Sequence, residues 1–224
     1  TDGMIMLDDG IVYVAHANSD RTPLGASDGG DLSAYRLEDG ALLWRKDFPH
    51  PPNSQPVVGR LGPGAGRTVV MPTGLQAGSP MVTKFLFLPP VLRYLLHKLN
   101  VWLGDYQRYL YKSIQVLPNP VYGLDPETGK ELWRWSPPDW KRPAVAGDDE
   151  GLLDRVWNGQ GPVCVPNPWA SPSLDASGTV FLPHQSGHMY VLRDANGDGV
   201  VDGTEVSSHY TGSGFSHPGP ALAP

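Results

Sequence analysis

The densest potential chemistry in the chain lies in twelve residues, Asp194-Ala195-Asn196-Gly197-Asp198-Gly199-Val200-Val201-Asp202-Gly203-Thr204-Glu205. Asp194, Asn196 and Asp198 carry oxygen side chains at alternate positions, and these converge on one point when the backbone coils around a hard cation. Gly199 permits the sharp turn that follows, Val200 offers its carbonyl, and Asp202 and Glu205 complete an oxygen shell. The run meets the pattern D-x-[DN]-x-[DN]-G-x5-E without a mismatch. A flexible, all-oxygen set of this kind suits Ca2+ better than Mg2+, which demands tighter octahedral geometry. The competing reading is an acidic, glycine-rich turn without a metal.

Other reactive residues are few. The single cysteine, Cys164, excludes an internal disulfide and a thiolate cluster; it reads as a small buried apolar residue. His184 and His188 flank Gln185-Ser186-Gly187 in a hairpin, and His16, His50, His209 and His217 fall in loops or strand ends. They form no convergent set, and turn or surface positions are expected for them. A net charge of −6 gives no footprint for nucleic acid.

The segments that must position the acidic loop read as strands. Tyr190-Val191-Leu192 precedes it and Val206 onward follows it, with Gly203 and Ser207-Ser208 interrupting any helix. Strand signals recur along the chain. The clearest is Val121–Trp135, in which two apolar runs flank Asp125-Pro126-Glu127-Thr128-Gly129-Lys130. Pro126 presets φ for a turn and Gly129 tolerates φ > 0. Trp133 and Trp135, two residues apart, share one face of the returning strand. Ala34–Trp44 is a weaker copy, with glycine again four residues before tryptophan. With 27 glycines, 24 prolines and 40% apolar residues, a turn-rich all-β protein is expected.

Repeated hairpins define units of about 45 residues, the size of a four-stranded propeller blade. The units run over about 4–49, 55–136 and 168–210, and another begins near 218. This predicts a partial β-propeller of about three and a half four-stranded blades, with one helical insertion over 79–118 in the second. The chain opens on Thr-Asp-Gly and closes where a strand should start, so both ends read as cuts through a longer protein whose targeting information is lost.

Gly123-Leu124-Asp125-Pro126-Glu127-Thr128-Gly129-Lys130-Glu131-Leu132-Trp133 resembles the tryptophan-docking repeat of quinoprotein-like β-propellers. That family contains pyrroloquinoline quinone (PQQ) dependent alcohol dehydrogenases and non-enzymatic outer-membrane assembly lipoproteins. In it the tryptophan packs across to the neighbouring blade, against a small residue and a glycine peptide. The resemblance assigns these roles to Trp133, Gly123 and Gly129, and to Trp44, Ala34 and Gly40. The first copy departs from the motif, with Arg36 for the aspartate and Asp39 for the threonine. The third has Val191 at the small position and no tryptophan. The acidic loop resembles EF-hand loops, and also the calcium loops that bridge strands in integrin-like propeller repeats, where position nine is the last ligand. Set where the other units keep a short turn, a cation here would be structural.

Met81–Ile114 is unlike its surroundings. Leu92, Leu95, Leu99, Trp102, Tyr106 and Tyr109 recur at helical spacing, and Pro89-Pro90 suits a helix start near Val91. The stretch holds five basic residues against one acidic. Prolines and charges interrupt every window of about 20 residues, so no transmembrane span is expected. Three readings compete: docking into a groove on another protein chain, folding back over the propeller, and lying on a membrane surface.

The function expected is a non-catalytic, calcium-stabilised propeller, a scaffold or protein-interaction subunit whose partners meet the insertion and the open propeller edges. An extracytoplasmic compartment follows from the resemblance. The first alternative is a fragment of a PQQ-dependent alcohol or sugar dehydrogenase. The family's adjacent-cysteine disulfide cannot exist here and the acidic loop is not that family's active-site cluster, so PQQ is not expected. The second is a carbohydrate- or matrix-binding propeller using Trp140, Trp157 and Trp169, should these be exposed.

Overall fold

A computed structural model of the chain describes residues 4–17, 29–74, 88–92, 95, 118–140, 145–147, 157–158, 168–215 and 219–221. These form three antiparallel four-stranded sheets, each a meander of sequential strands. Blade 1 contains β1 (Met4–Asp8), β2 (Ile11–Ala17), β3 (Gly30–Arg36) and β4 (Leu42–Phe48). Blade 2 contains β5 (Val57–Arg60), β6 (Arg67–Pro72), β7 (Val121–Leu124) and β8 (Glu131–Trp135). Blade 3 contains β9 (Ser173–Leu174), β10 (Val180–Pro183), β11 (His188–Leu192) and β12 (Val206–Tyr210). The architecture is a partial β-propeller.

Side-chain alternation stacks the blades. Successive strand residues point to opposite faces, so blade 2, with a neighbour on each side, is apolar on both. Val58, Val69, Met71, Tyr122 and Leu124 turn toward blade 1, where they meet Tyr13, Ala15, Leu32, Ala34, Trp44 and Phe48. Val57, Val70, Val121 and Trp133 turn the other way, toward Val180, Leu182, Tyr190, Leu192 and Val201 of blade 3. All four residues of β7 are therefore buried, the pattern of a strand covered on both faces.

The first seam is closed by an indole. Trp44 lies on the Gly129 peptide of the blade 2 turn, where a Cβ would run into its ring, and Gly129 holds φ +68°. The Trp44 Nε1–H donates to the Pro126 carbonyl at 2.9 Å. The Tyr13 hydroxyl donates to the same oxygen at 3.4 Å, and burial pushes its pKa up to about 12, which keeps the donor proton in place. Asp125 shapes the turn: its Oδ1 accepts from the Glu127 and Thr128 N–H groups and the Thr128 hydroxyl. The Thr128 hydroxyl is the main cause that holds the Asp125 carboxyl below its usual pKa. At the seam's rims Arg67 pairs with Asp8 and Asp9, and Lys46 lies 3.4 Å from Glu131.

The second seam is closed differently. Trp133 covers Gly123 of its own blade so closely that any side chain there would occupy the indole's space. Its Nε1–H is buried and meets no acceptor among the described residues. The contact to blade 3 comes instead from the Asp194 N–H, which donates to the Leu61 carbonyl at 2.9 Å. Gly62 abuts the Asp194 carbonyl, and Gly197 approaches that of Pro63.

A hydrogen bond in a buried seam is worth about 1 kcal/mol net. Trp44→Phe, which loses one, is expected to cost about 1 kcal/mol more than Trp133→Phe, which removes an unpaired donor. Urea unfolding of the two variants measures the difference; equal losses would show that the indole–carbonyl bond contributes nothing.

Candidate functional site

The acidic loop leaves β11 at Arg193 and returns through a one-turn 3-10 helix, Gly203–Glu205, into β12. Its polar side chains mostly bond the loop's own backbone. Asp194, 1% exposed, accepts from the Gly197 N–H at 2.7 Å and the Gly199 N–H at 2.9 Å. Asn196 Oδ1 accepts from the Asp198 N–H, and Asp198 Oδ1 from the Val200 N–H. The Asn196 amide donates to the second Asp198 oxygen at 3.1 Å. Gly197 and Gly199 sit at φ +74° and +82°, which glycine accepts without cost.

Glu205 reaches back across the loop. Its Oε1 accepts from the Ala195 N–H at 2.8 Å and the Asn196 N–H at 3.1 Å. With Asp202 it forms a capping box on the 3-10 turn, where Asp202 accepts from the Thr204 N–H and hydroxyl. The Thr204 hydroxyl is the first cause holding the Asp202 carboxyl below its usual pKa. The donor chemistry is that of a hard-cation loop, all oxygen and mostly anionic. As the side chains stand, no three His, Cys, Asp or Glu groups among the described residues are gathered as a metal set. Asp194, Asn196 and Asp198 line one coil; Asp202 and Glu205 cap its return; Val200 is exposed.

The docking residues divide between the seams. Trp44 meets Gly129, Trp133 meets Gly123, and Ala34 stands opposite Trp44 in the β3–β4 register. Gly40 holds φ +71° with open space around it. Among the insertion residues, Pro90, Val91, Leu92 and Leu95 are helical; Leu92 is 48% and Leu95 55% exposed. Leu99, Trp102, Tyr106 and Tyr109 lie outside the described residues.

The histidine hairpin departs from expectation. His184 is not at the surface: it is fully buried, in a polar cluster that reading the sequence missed. The Trp169 ring lies over it at 4.4 Å. The Ser186 N–H donates to His184 Nδ1 at 3.3 Å, which makes Nδ1 an acceptor and places the ring proton on Nε2. The Asn119 carboxamide lies 2.9 Å from Nε2. Turned so that its oxygen faces this N–H, it satisfies both the ring and the otherwise unpaired Asn119 Oδ1. The Trp169 indole donates to the Thr73 carbonyl at 3.0 Å. The Thr73 N–H and hydroxyl both donate to Pro120, and Gly74 donates to Pro51. Thr73–Gly74 and Asn119–Pro120 bracket the insertion, so its root is clamped to blade 3 and to the chain between blades 1 and 2. The burial of Trp169, 1% exposed, takes it out of any carbohydrate platform; Trp157 is 51% exposed.

No protein-family model matches the chain, and no curated protein matches it. Among solved structures it is similar to BamB from Moraxella catarrhalis, with 12% identity and a TM-score of 0.43 over 92% of this chain and 35% of that one. It is also similar to the quinohemoprotein alcohol dehydrogenase ADHIIG from Pseudomonas putida HK5, with 16% identity and a TM-score of 0.45 over 95% of this chain and 27% of that one. The chain thus spans about a third or less of each. Scores this low assign no activity and no partner.

Burial pushes the His184 pKa down to about 3, with His188 adding to the effect. A group depressed in the native state is stabilising above its unfolded pKa of 6.5, and that stability is lost as pH falls toward 3, because the unfolded chain binds the proton first. Urea unfolding at about pH 7 and about pH 5 is expected to show a loss of about 2 kcal/mol from this residue. His50, also lowered by burial, acts in the same direction, so the residue-specific part is read against His184→Gln, whose pH slope should be flatter.

Proposed function

We propose that the chain is a non-catalytic, calcium-stabilised propeller scaffold that serves as a protein-interaction subunit of a larger assembly. The observation that carries this reading is the insertion. Its root is held by buried hydrogen bonds from blade 3 and the preceding loop, while Val91, Leu92 and Leu95 on its helical part are about half exposed. Apolar side chains presented from a fixed base suit a docking helix that enters a groove on another chain. Basic residues in the same segment make an anionic membrane surface the competing partner.

The Asp194–Glu205 loop is the proposed Ca2+ site, with Asp194, Asn196, Asp198, the Val200 carbonyl and Asp202 as ligands and Glu205 as a capping or sixth group. Its role is to stiffen the loop that joins blade 3 to Leu61 and Pro63 of blade 2. Weak calcium sites of this kind fill where free calcium is near millimolar, which goes with a periplasmic, secreted or lumenal location.

Calcium at about 100 times its dissociation constant adds about 2.7 kcal/mol, or about 5–10 °C in thermal midpoint for a chain of this length. Differential scanning fluorimetry with calcium and with chelator should show that rise, and Asp198→Ala should abolish it; superimposable melts would remove calcium from the reading. For the partner, Val91→Asp, Leu92→Asp and Leu95→Asp together should leave the melting temperature within about 2 °C and release the chain from its assembly in native-source cross-linking. Co-sedimentation of the full chain with anionic vesicles would favour a membrane instead. A stoichiometric quinone absorbance in purified protein would overturn the non-catalytic assignment in favour of a PQQ-dependent dehydrogenase.

A further inference from the structure

Asn196 stands in the acidic loop with a reaction of its own within reach. Two asparagines of the chain precede glycine, Asn158 and Asn196. Glycine has no side chain to shield its peptide nitrogen, so that nitrogen can attack the carboxamide carbon of the preceding asparagine and close an imide ring. Closure makes three demands. The peptide N–H must give up its proton, the carboxamide oxygen must carry developing negative charge, and the amide nitrogen must leave as ammonia.

The loop sets a partner on each of these atoms. The Gly197 N–H donates to Asp194 Oδ1 at 2.7 Å, within the reach that a general base needs. The Asp198 N–H donates to Asn196 Oδ1 at 2.8 Å, a fixed backbone donor at the atom where charge develops. The Asn196 amide nitrogen lies 3.1 Å from Asp198 Oδ2, a carboxylate placed to relay a proton to the departing group. From the other side Glu205 Oε1 accepts the Asn196 N–H at 3.1 Å and holds that peptide in place. Asn196 is exposed, so ammonia can leave and water can enter.

We infer that Asn196-Gly197 is a self-modifying site, at which the folded loop drives deamidation of Asn196. The Gly197 nitrogen bonds the Asn196 carboxamide carbon, and the bond from that carbon to Nδ2 breaks. The proton lost by Gly197 ends on the departing nitrogen, which is released as ammonia. Water then opens the imide, at the side-chain carbonyl to give aspartate or at the main-chain carbonyl to give isoaspartate. No oxidant or reductant takes part. Aspartate adds a carboxylate at the third position of the loop; isoaspartate lengthens the main chain by one methylene and disrupts the coil. The consequence for cation binding rests on the Ca2+ reading, since affinity follows ligand charge; the reaction itself does not.

The test incubates the purified full chain with chelator, in native buffer and in guanidinium chloride. Asn196 and Asn158 are followed by peptide mass spectrometry, with isoaspartate resolved by chromatography, and Asn158 reports a second Asn-Gly pair in the same digests. Native Asn196 is expected to react about tenfold faster than unfolded Asn196, equal to about 1.4 kcal/mol off the barrier, and to yield both products. Asp194→Asn keeps an acceptor oxygen but is a far weaker base, and should bring the native rate down to the unfolded one. A native rate at or below the unfolded rate overturns the inference, as does an Asp194→Asn chain that folds and reacts like its parent. Should that variant fail to fold, the native-against-unfolded comparison decides alone. Rapid deamidation together with superimposable calcium melts would keep the modification and remove the cation, so the two readings fail separately.

Discussion

The arrangement depends on one contact: an indole lying on a glycine peptide and donating to the carbonyl three residues before it. A four-stranded sheet has two large faces and cannot bury both alone, so stability comes from the stack. Tryptophan suits the joint because it buries a large flat area and still requires one acceptor. The Pro126 carbonyl provides it, and that carbonyl faces the seam because the turn leaves it out of the sheet ladder. Asp125 accepts three bonds within this turn and so acts on the seam indirectly: its carboxylate sets the peptide on which the neighbouring blade rests. Blade 1 reaches the same backbone by other means, with Asp39 bonding the Ala41 N–H and pairing with Arg36. The turn's shape, rather than its side chains, is what the two copies share.

The second seam shows what happens when the receiving turn is replaced. Blade 3 has a twelve-residue loop at that point, and the buried Trp133 N–H is left without an acceptor among the described residues. Such a group costs stability, and the compensation lies in the backbone: Asp194 donates to Leu61, while Gly62 and Gly197 allow two chains to approach more closely than any side chain would permit. Asp194 thus belongs to two structures at once. Its carboxylate organises the loop and its peptide joins the blades, so whatever stiffens the loop also stiffens the seam.

Much of this was legible in the sequence, for identifiable reasons. Turn residues act locally, so Pro126, Gly129 and the aspartates declare the hairpins wherever they stand. Tryptophan four residues after glycine marks the seam because both partners of the motif lie within one hairpin, even though the indole rests on the next blade. The buried histidine was not. His184-Gln185-Ser186-Gly187-His188 has the composition of an exposed turn, and nothing local contradicts that. Its burial comes from Asn119, 65 positions away, and from Trp169, which bonds Thr73 across 96 positions. The available signal was indirect: an insertion needs a root, and Thr73 and Asn119-Pro120 stand at its two ends.

That root explains why so polar a cluster is buried. Thr73, Asn119, His184 and Gln185 are all at most 1% exposed, and burying such groups is unfavourable unless each is bonded. An apolar junction would hold as firmly but would not specify which atoms meet. Here each bond is directional. Thr73 takes Pro120 with two donors, Trp169 takes Thr73, and a neutral His184 takes Asn119. Closing a long insertion costs chain entropy that grows only slowly with its length, so the demanding part is fixing the two ends relative to the sheets. The polar cluster does this from blade 3 while the insertion itself belongs to blade 2. It therefore ties the insertion to the same pair of blades that the acidic loop joins through Asp194 and Leu61.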